Sequence, residues 1–382
     1  MVYNKINVYR NMIIKTITCH NVYNYGAALQ AHALMDYLEK KGHEVEIIDY
    51  MPPYIRKSQS LWAIGSRWNR NFLIKLAFYA YVVPIRLLQK RTRKKFALFN
   101  RQYMKLTRRY ESYDALLANP PKADMYVCGS DQIWNTQINN GLDPAFYCDF
   151  GDEQTIRVAY AASFSIAALP DSDKAFVKAE LEKMDFISVR ETGGINILKN
   201  LGIQKGEVVV DPVFLKPREE WLKMCYEPRY PSYILVYDQE NNATIKELAL
   251  HLSRRNSQPI VAFKDLYPRC YAQYKECYAD PVDFISLIAH ADVVITNSFH
   301  CMAFSIIMNK DFYVVPRTHQ KVNSRMQDFL TYLHIADRIA DNVNSLEKAR
   351  KIDYKSVNQA VTQLRESSET YIDRCLETAS CK

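Results

Sequence analysis

Four short polar stretches, each following an apolar run, hold the residues best suited to chemistry. Asn24-Tyr25-Gly26 follows MIIKTIT (12–18) and opens a helical pattern. Free backbone N–H groups at such a helix start suit a phosphate or carboxylate, and an ordinary tight turn would read the same way. Gly129-Ser130-Asp131-Gln132 follows MYVC, and is either a helix cap or a ligand loop. Arg190-Glu191 follows FISV. An arginine at a strand end can grip a carboxylate or phosphate with two donors, or simply pair with its acidic neighbour. Asn297-Ser298-Phe299-His300 follows DVVIT and offers a histidine able to exchange protons near neutral pH. Cys301 stands beside His300, but adjacent side chains rarely face each other, so a Cys–His nucleophile is disfavoured.

The elements that would position these residues alternate strand and helix. After MIIKTIT, Ala27, Ala31, Leu34 and Leu38 recur on one helical face, Lys40-Lys41-Gly42 ends the helix, and Val45–Ile48 starts the next strand. That is a βαβ unit. FLIKLAFYAYVVPIRLL (72–88) and KRTRKKF read as one or two helices. A second α/β run starts at Ala123, a third near Pro231, and the last forty residues read as helical. The pattern predicts an α/β protein of two Rossmann-like domains with parallel sheets. The expected division is 1–220, 221–345 and a helical 346–382 that packs back on the first domain. In such sheets ligands bind beyond the carboxyl ends of the strands, where the four polar stretches fall.

Composition narrows the class. The 382 residues are 48% hydrophobic, enough for two cores and against disorder. No uncharged apolar stretch reaches the length of a membrane span, and MVYNKINVYRN lacks the apolar core of a secretory signal. The nine cysteines form no C-x-x-C and no Cys/His cluster, so neither a disulfide framework nor a metal site is expected, and the compartment is read as cytoplasmic. Walker A, H-E-x-x-H, G-x-S-x-G, EF-hand and G-x-G-x-x-G motifs are absent. The net charge of +8 is concentrated: residues 56–109 hold fifteen Lys and Arg and no acid, interleaved with Trp62, Trp68, Phe72, Phe78 and Tyr79. Such a block seeks an anionic partner, and a peripheral contact with the inner membrane face is one expectation. Without an accompanying RNA- or DNA-binding pattern, no nucleic-acid partner is expected.

The loops, in order, resemble the polysaccharide pyruvyl transferase family. The matching segments are NYGAALQAHAL (24–34), EVEIIDYMPP (44–53), CGSDQIWN (128–135), YAASF (160–164), SVRETGG (188–194), DPVFL (211–215), NSFHCMAFSII (297–307) and NSR (323–325). The resemblance implies a GT-B-like fold with the site in a cleft between the domains. It implies transfer of the pyruvyl unit of phosphoenolpyruvate to a sugar or lipid-linked oligosaccharide, as a ketal in bacterial surface polysaccharide synthesis, with no cofactor and no metal. It places Arg190 on the phosphoenolpyruvate and matches the family's histidine to His300; the chemistry suits His300 to acid–base work, with Asp131 as the second candidate, as base or as a group orienting the sugar. Asn24, Tyr25, Gly26, Ser130, Ser163, Asn297, Ser298 and Arg325 become substrate-binding candidates. The chain departs from family patterns where some members carry arginine at the position of Ser298, histidine near Ser163-Phe164-Ser165, and glycine at Cys301. Two rival readings remain: a GT-B glycosyltransferase using a nucleotide sugar, and a non-catalytic partner in polysaccharide assembly.

Overall fold

The structure is a computed structural model that describes residues 10–58, 60, 62–64, 69, 71–263, 269–318 and 324–381. Trp68 of the basic segment and Asn323 of the NSR stretch lie outside the described residues.

The described strands form two wholly parallel sheets. The first holds β1 (Ile13–Ile17), β2 (Glu44–Tyr50), β3 (Leu106–Tyr110), β4 (Met125–Cys128), β5 (Ile156–Ala162), β6 (Phe186–Val189) and β7 (Glu207–Val208), in the order β3-β2-β1-β4-β5-β6-β7. The second holds β8 (Ile234–Tyr237), β9 (Ile260–Phe263), β10 (Tyr274–Glu276), β11 (Val293–Thr296) and β12 (Asp311–Val314), in the order β10-β9-β8-β11-β12. All four residues of β4 and of β11 are buried, as expected for central strands covered on both faces.

Helix α1 (Tyr25–Lys40) shows why the first βαβ unit forms. Asn24 caps it by accepting from the Ala27 N–H, the Ala/Leu face is buried, and Gly42 leaves it at φ +93°, a conformation that suits glycine. The basic segment folds as α2 (Phe72–Leu88), with Pro84 inside it, and α3 (Lys90–Tyr103). Phe96 and Phe99 anchor α3 in the core. Helices α4 (Thr192–Asn200), α5 (Ala243–Asn256), α6 (Pro281–His290), α7 (Phe299–Ile307) and α8 (Ser324–Tyr332) cover the strands. The chain crosses between the sheets over residues 209–233. The last helix, α9 (Tyr354–Ser380), returns to the first sheet, where Tyr371 donates to the Ala159 carbonyl and Ser368 accepts from the Val210 N–H.

Strand order reverses between β1 and β4 in one sheet, and between β8 and β11 in the other. A crevice opens at the carboxyl end of each such switch point. Gly129–Asp131 leave one of them and Asn297–His300 the other, so topology brings the polar stretches of the sequence to the ends where ligands bind.

Candidate active site

Arg190 is the centre of the arrangement. It leaves β6 with only 2% of its side chain exposed, and its Nη1 donates to Asp211 Oδ2 at 2.7 Å. Its Nη2 lies 3.5 Å from Asp131 Oδ1, and its guanidinium stands 4.7 Å from the centre of the Phe299 ring. Burial works against the Arg190 charge, but Asp211, Asp131 and Glu191 outweigh it and hold the guanidinium more firmly protonated than usual.

Asp211 joins the two halves. Its carboxylate is fully buried, and it receives Arg190 from the first sheet while His300 Nε2, from the second, stands 3.4 Å away. Burial would raise the Asp211 pKa, but His300 and Arg190 overcome it and keep the carboxyl well below its ordinary range. The His300 ring lies directly on α1: a Cβ built on Gly26 would overlap its Cγ and Nδ1. Gly26 thus serves close approach of an imidazole.

Arg325, on α8, completes the cationic side. Its guanidinium lies 5.3 Å from the centre of the same Phe299 ring, and Nη1 donates to Ser165 Oγ at 2.7 Å. Burial, and next the charge of Arg190, pull its pKa down to about 10. Nε of Arg190 and Nε of Arg325 are both buried without a hydrogen-bond partner, while Nε2 of His300 faces Asp211. Orphaned buried donors are rare in folded proteins, and two beside one cavity call for an acceptor. Arg190, Glu191, Asp211, Phe299, Arg325 and Asp328 line a partly open cavity of about 120 Å³. The two guanidiniums can receive an anion, Asp211 already compensates Arg190, and the volume suits a small ligand.

The remaining residues singled out in the sequence have defined places. Ser130 is buried; its N–H donates to Gln30 Oε1 at 3.0 Å, and its hydroxyl lies 2.8 Å from the Ala161 carbonyl and 3.3 Å from Asp211 Oδ2. Ser163 donates to Glu191 Oε1, which also accepts the N–H groups of Phe164 and Ser165, so Glu191 pins the loop that presents Ser165 to Arg325. Asn297 ties the two switch-point strands together through Asp238 Oδ1 and the Gln239 N–H. Ser298 is buried with its N–H on Thr296 Oγ1.

Asn24 is engaged as the α1 cap, and the Tyr25 ring stacks on Phe96 and Phe284, joining the two halves. Neither the Asn24 nor the Tyr25 side chain joins the Arg190 cluster. Cys301 is fully buried in the core, where burial pushes its thiol up to about 12, which makes it an inert packing residue.

Backbone strain collects here too. Asp131, Ala161 and Ser165 adopt φ of +75°, +52° and +53°. Such non-glycine conformations cost about 1–3 kcal/mol each and gather where a site demands them. Gly129, at φ +120°, has no room for a Cβ against the Tyr160 carbonyl.

Asp211, Phe299 and Asp238 were not among the site candidates read from sequence. Asp211 carried a usable signal, because it directly follows the apolar run EVVV and precedes a proline. Asp238 follows YILVY in the same manner.

Two parallel Rossmann-like sheets, with polar strand ends meeting between them, define a GT-B-like α/β protein. Residues 24–319 match the family described as polysaccharide pyruvyl transferase, and the chain belongs to that family. Among solved structures it is similar to a putative UDP-N-acetylglucosamine 2-epimerase from Listeria monocytogenes, at 11% identity over 94% of this chain and 91% of that one, with a TM-score of 0.49. It is also similar to UDP-GlcNAc 2-epimerase from Methanocaldococcus jannaschii, at 12% identity, 92% and 98% coverage and a TM-score of 0.46. The glycosyltransferase SnogD from Streptomyces nogalater follows at 12% identity, 95% and 98% coverage and a TM-score of 0.40. No curated protein matches the sequence.

Proposed function

We propose that the protein transfers the pyruvyl unit of phosphoenolpyruvate to two hydroxyls of a sugar acceptor, forming a cyclic ketal and releasing phosphate. The observation that carries this reading is the pair of buried arginines, Arg190 and Arg325, each with an orphaned Nε beside one small cavity. Phosphoenolpyruvate is a compact polyanion, and two guanidiniums held at fixed separation suit its carboxylate and phosphate. Mutual repulsion between the two arginines is relieved when such an anion arrives.

The chemistry needs a proton delivered to C3 of the enol, which makes C2 electrophilic. His300, held against Asp211, is the acid in this reading. One sugar hydroxyl adds to C2 and gives up its proton to a base, for which Asp131 is the candidate. The second hydroxyl then displaces phosphate from C2, and its proton leaves with the phosphate. Asp131 and Asp211 supply negative charge near the oxocarbenium-like centre. Ionised Asp211 also holds both His300 and Arg190 in register.

Calorimetric titration of phosphoenolpyruvate and, in parallel, UDP-sugars into the wild type, Arg325→Leu and His300→Gln tests this. Saturable phosphoenolpyruvate binding, weakened about 10- to 100-fold in Arg325→Leu and retained in His300→Gln, is the expected result. Binding of a UDP-sugar without any response to phosphoenolpyruvate would move the protein to glycosyl transfer.

A further inference from the structure

The surface of α2 does not look like the surface of a helix that ends in water. Phe72 is 76% exposed, Leu73 74% and Leu76 56%. Ala77, Ala80 and Leu87 are exposed as well. At about 100° per residue these six fall within one stripe of the helix, and no charged residue interrupts it. Lys75 and Arg86 flank the stripe on its Phe72 side, and Arg86 bonds to the Ala63 carbonyl. Immediately after α2 come Lys90, Arg91, Arg93 and Lys94, at the start of a helix whose first turn holds no acid. The surrounding segment, 56–109, has fifteen basic and no acidic residues.

We propose that α2 is an interfacial helix that seats its apolar stripe on a bilayer containing anionic phospholipid. A continuous exposed apolar stripe on an otherwise ordinary surface marks an interaction site. The helix has 17 residues, with Pro84 and two cations inside that span. At about 1.5 Å per residue it reaches about 25 Å, short of a hydrocarbon core of about 30 Å, so it lies in the interface and does not cross. No helix among the described residues is long and apolar enough to cross a membrane.

Charge decides between a bilayer and a second copy of the chain. In a twofold dimer the same patch meets itself, which would oppose the two basic clusters. A bilayer with anionic lipid supplies the opposite sign and takes up apolar side chains between its headgroups. The helix pair is fixed to the body by Phe96 and Phe99 and by the ion pair of Lys95 with Asp283, so docking would hold the whole molecule at the surface.

Flotation of the full chain with vesicles of phosphatidylcholine alone, and of phosphatidylcholine mixed with phosphatidylglycerol, tests the proposal. Association with the mixed vesicles and little with the neutral ones is expected. Leu73→Asp combined with Leu76→Asp should weaken it about tenfold or more, and Lys90→Glu combined with Lys94→Glu should remove the anionic preference. Both pairs are exposed and should melt like the wild type. If the leucine pair lowers the melting temperature, the lysine pair alone carries the decision. Absence of binding to both vesicles, or equal binding to both, would overturn the idea. So would light-scattering dimerisation abolished by the leucine pair, without vesicle association.

Discussion

The imidazole of His300, which follows a strand of the second sheet, occupies the space that a side chain on Gly26, in the first, would need. The glycine at the start of α1 is therefore a docking surface for the histidine. Gly26→Ala should push the ring away from Asp211. Overpacking of this kind costs about 1–3 kcal/mol, so a modest drop in melting temperature should accompany a much larger fall in pyruvyl transfer. Full activity in Gly26→Ala would show that the contact is incidental.

Arg190 and Asp211 form a buried ion pair, and removing either alone takes from the other its shortest counter-charge contact. Arg190→Met and Asp211→Leu should each destabilise by about 3–5 kcal/mol. The double variant should lose less than their sum, because each single variant already breaks the same direct contact. Urea unfolding of all three measures the coupling, and simple additivity would contradict the pairing seen here.

Arg325 should behave in the opposite way. Its charge is opposed by burial and by Arg190. Arg325→Leu should hold or raise the melting temperature while weakening phosphoenolpyruvate about 10- to 100-fold, the worth of one charge-assisted hydrogen bond. A large loss of stability would mean that Arg325 supports the fold.

Acid should destabilise the protein through His32. Its Nδ1 reaches the Tyr103 carbonyl and its Nε2 meets Lys216 Nζ, a pairing only the neutral ring satisfies. Burial, and next the Lys216 charge, lower its pKa to about 4. The unfolded chain takes up this proton near pH 6.5 and the folded protein does not, so stability falls as pH drops from about 6.5 to about 4. The full shift is worth about 3 kcal/mol. Asp211, depressed below its ordinary range, adds a loss below about pH 4, where the unfolded chain's carboxyl takes up a proton that the folded one refuses. Melting curves against pH should therefore slope in that window, and His32→Gln should flatten it.

Cys301 stands next to His300 yet should not react. Iodoacetamide should label the exposed Cys270 and Cys381 and leave Cys301 untouched until the protein unfolds, as peptide mapping would show. Inactivation that tracks Cys301 labelling would contradict its burial.

Much of this architecture follows from local sequence. The apolar runs ending in Thr18, Cys128, Val189 and Thr296 specify central parallel strands, because both faces of such strands must be apolar. Asn24 and Gly42 bracket α1 for reasons of capping and backbone conformation. The order of the strand-end motifs already pointed to the family, and Arg190, Asp131 and His300 were legible as polar residues at strand ends. What local pattern does not encode is which of these groups share a charge. Asp211 meets His300 across 89 positions of chain and Arg190 across 21, and only the folding of two sheets against each other selects those partners. The same holds for Gly26, which looks like a turn glycine until the second sheet sets a histidine on it, and for Tyr25, taken up by Phe96 and Phe284 in the seam between the halves. Propensity and periodicity act over a few residues, whereas a buried charge requires its counter-charge wherever the chain can supply one, and that requirement is met only in three dimensions.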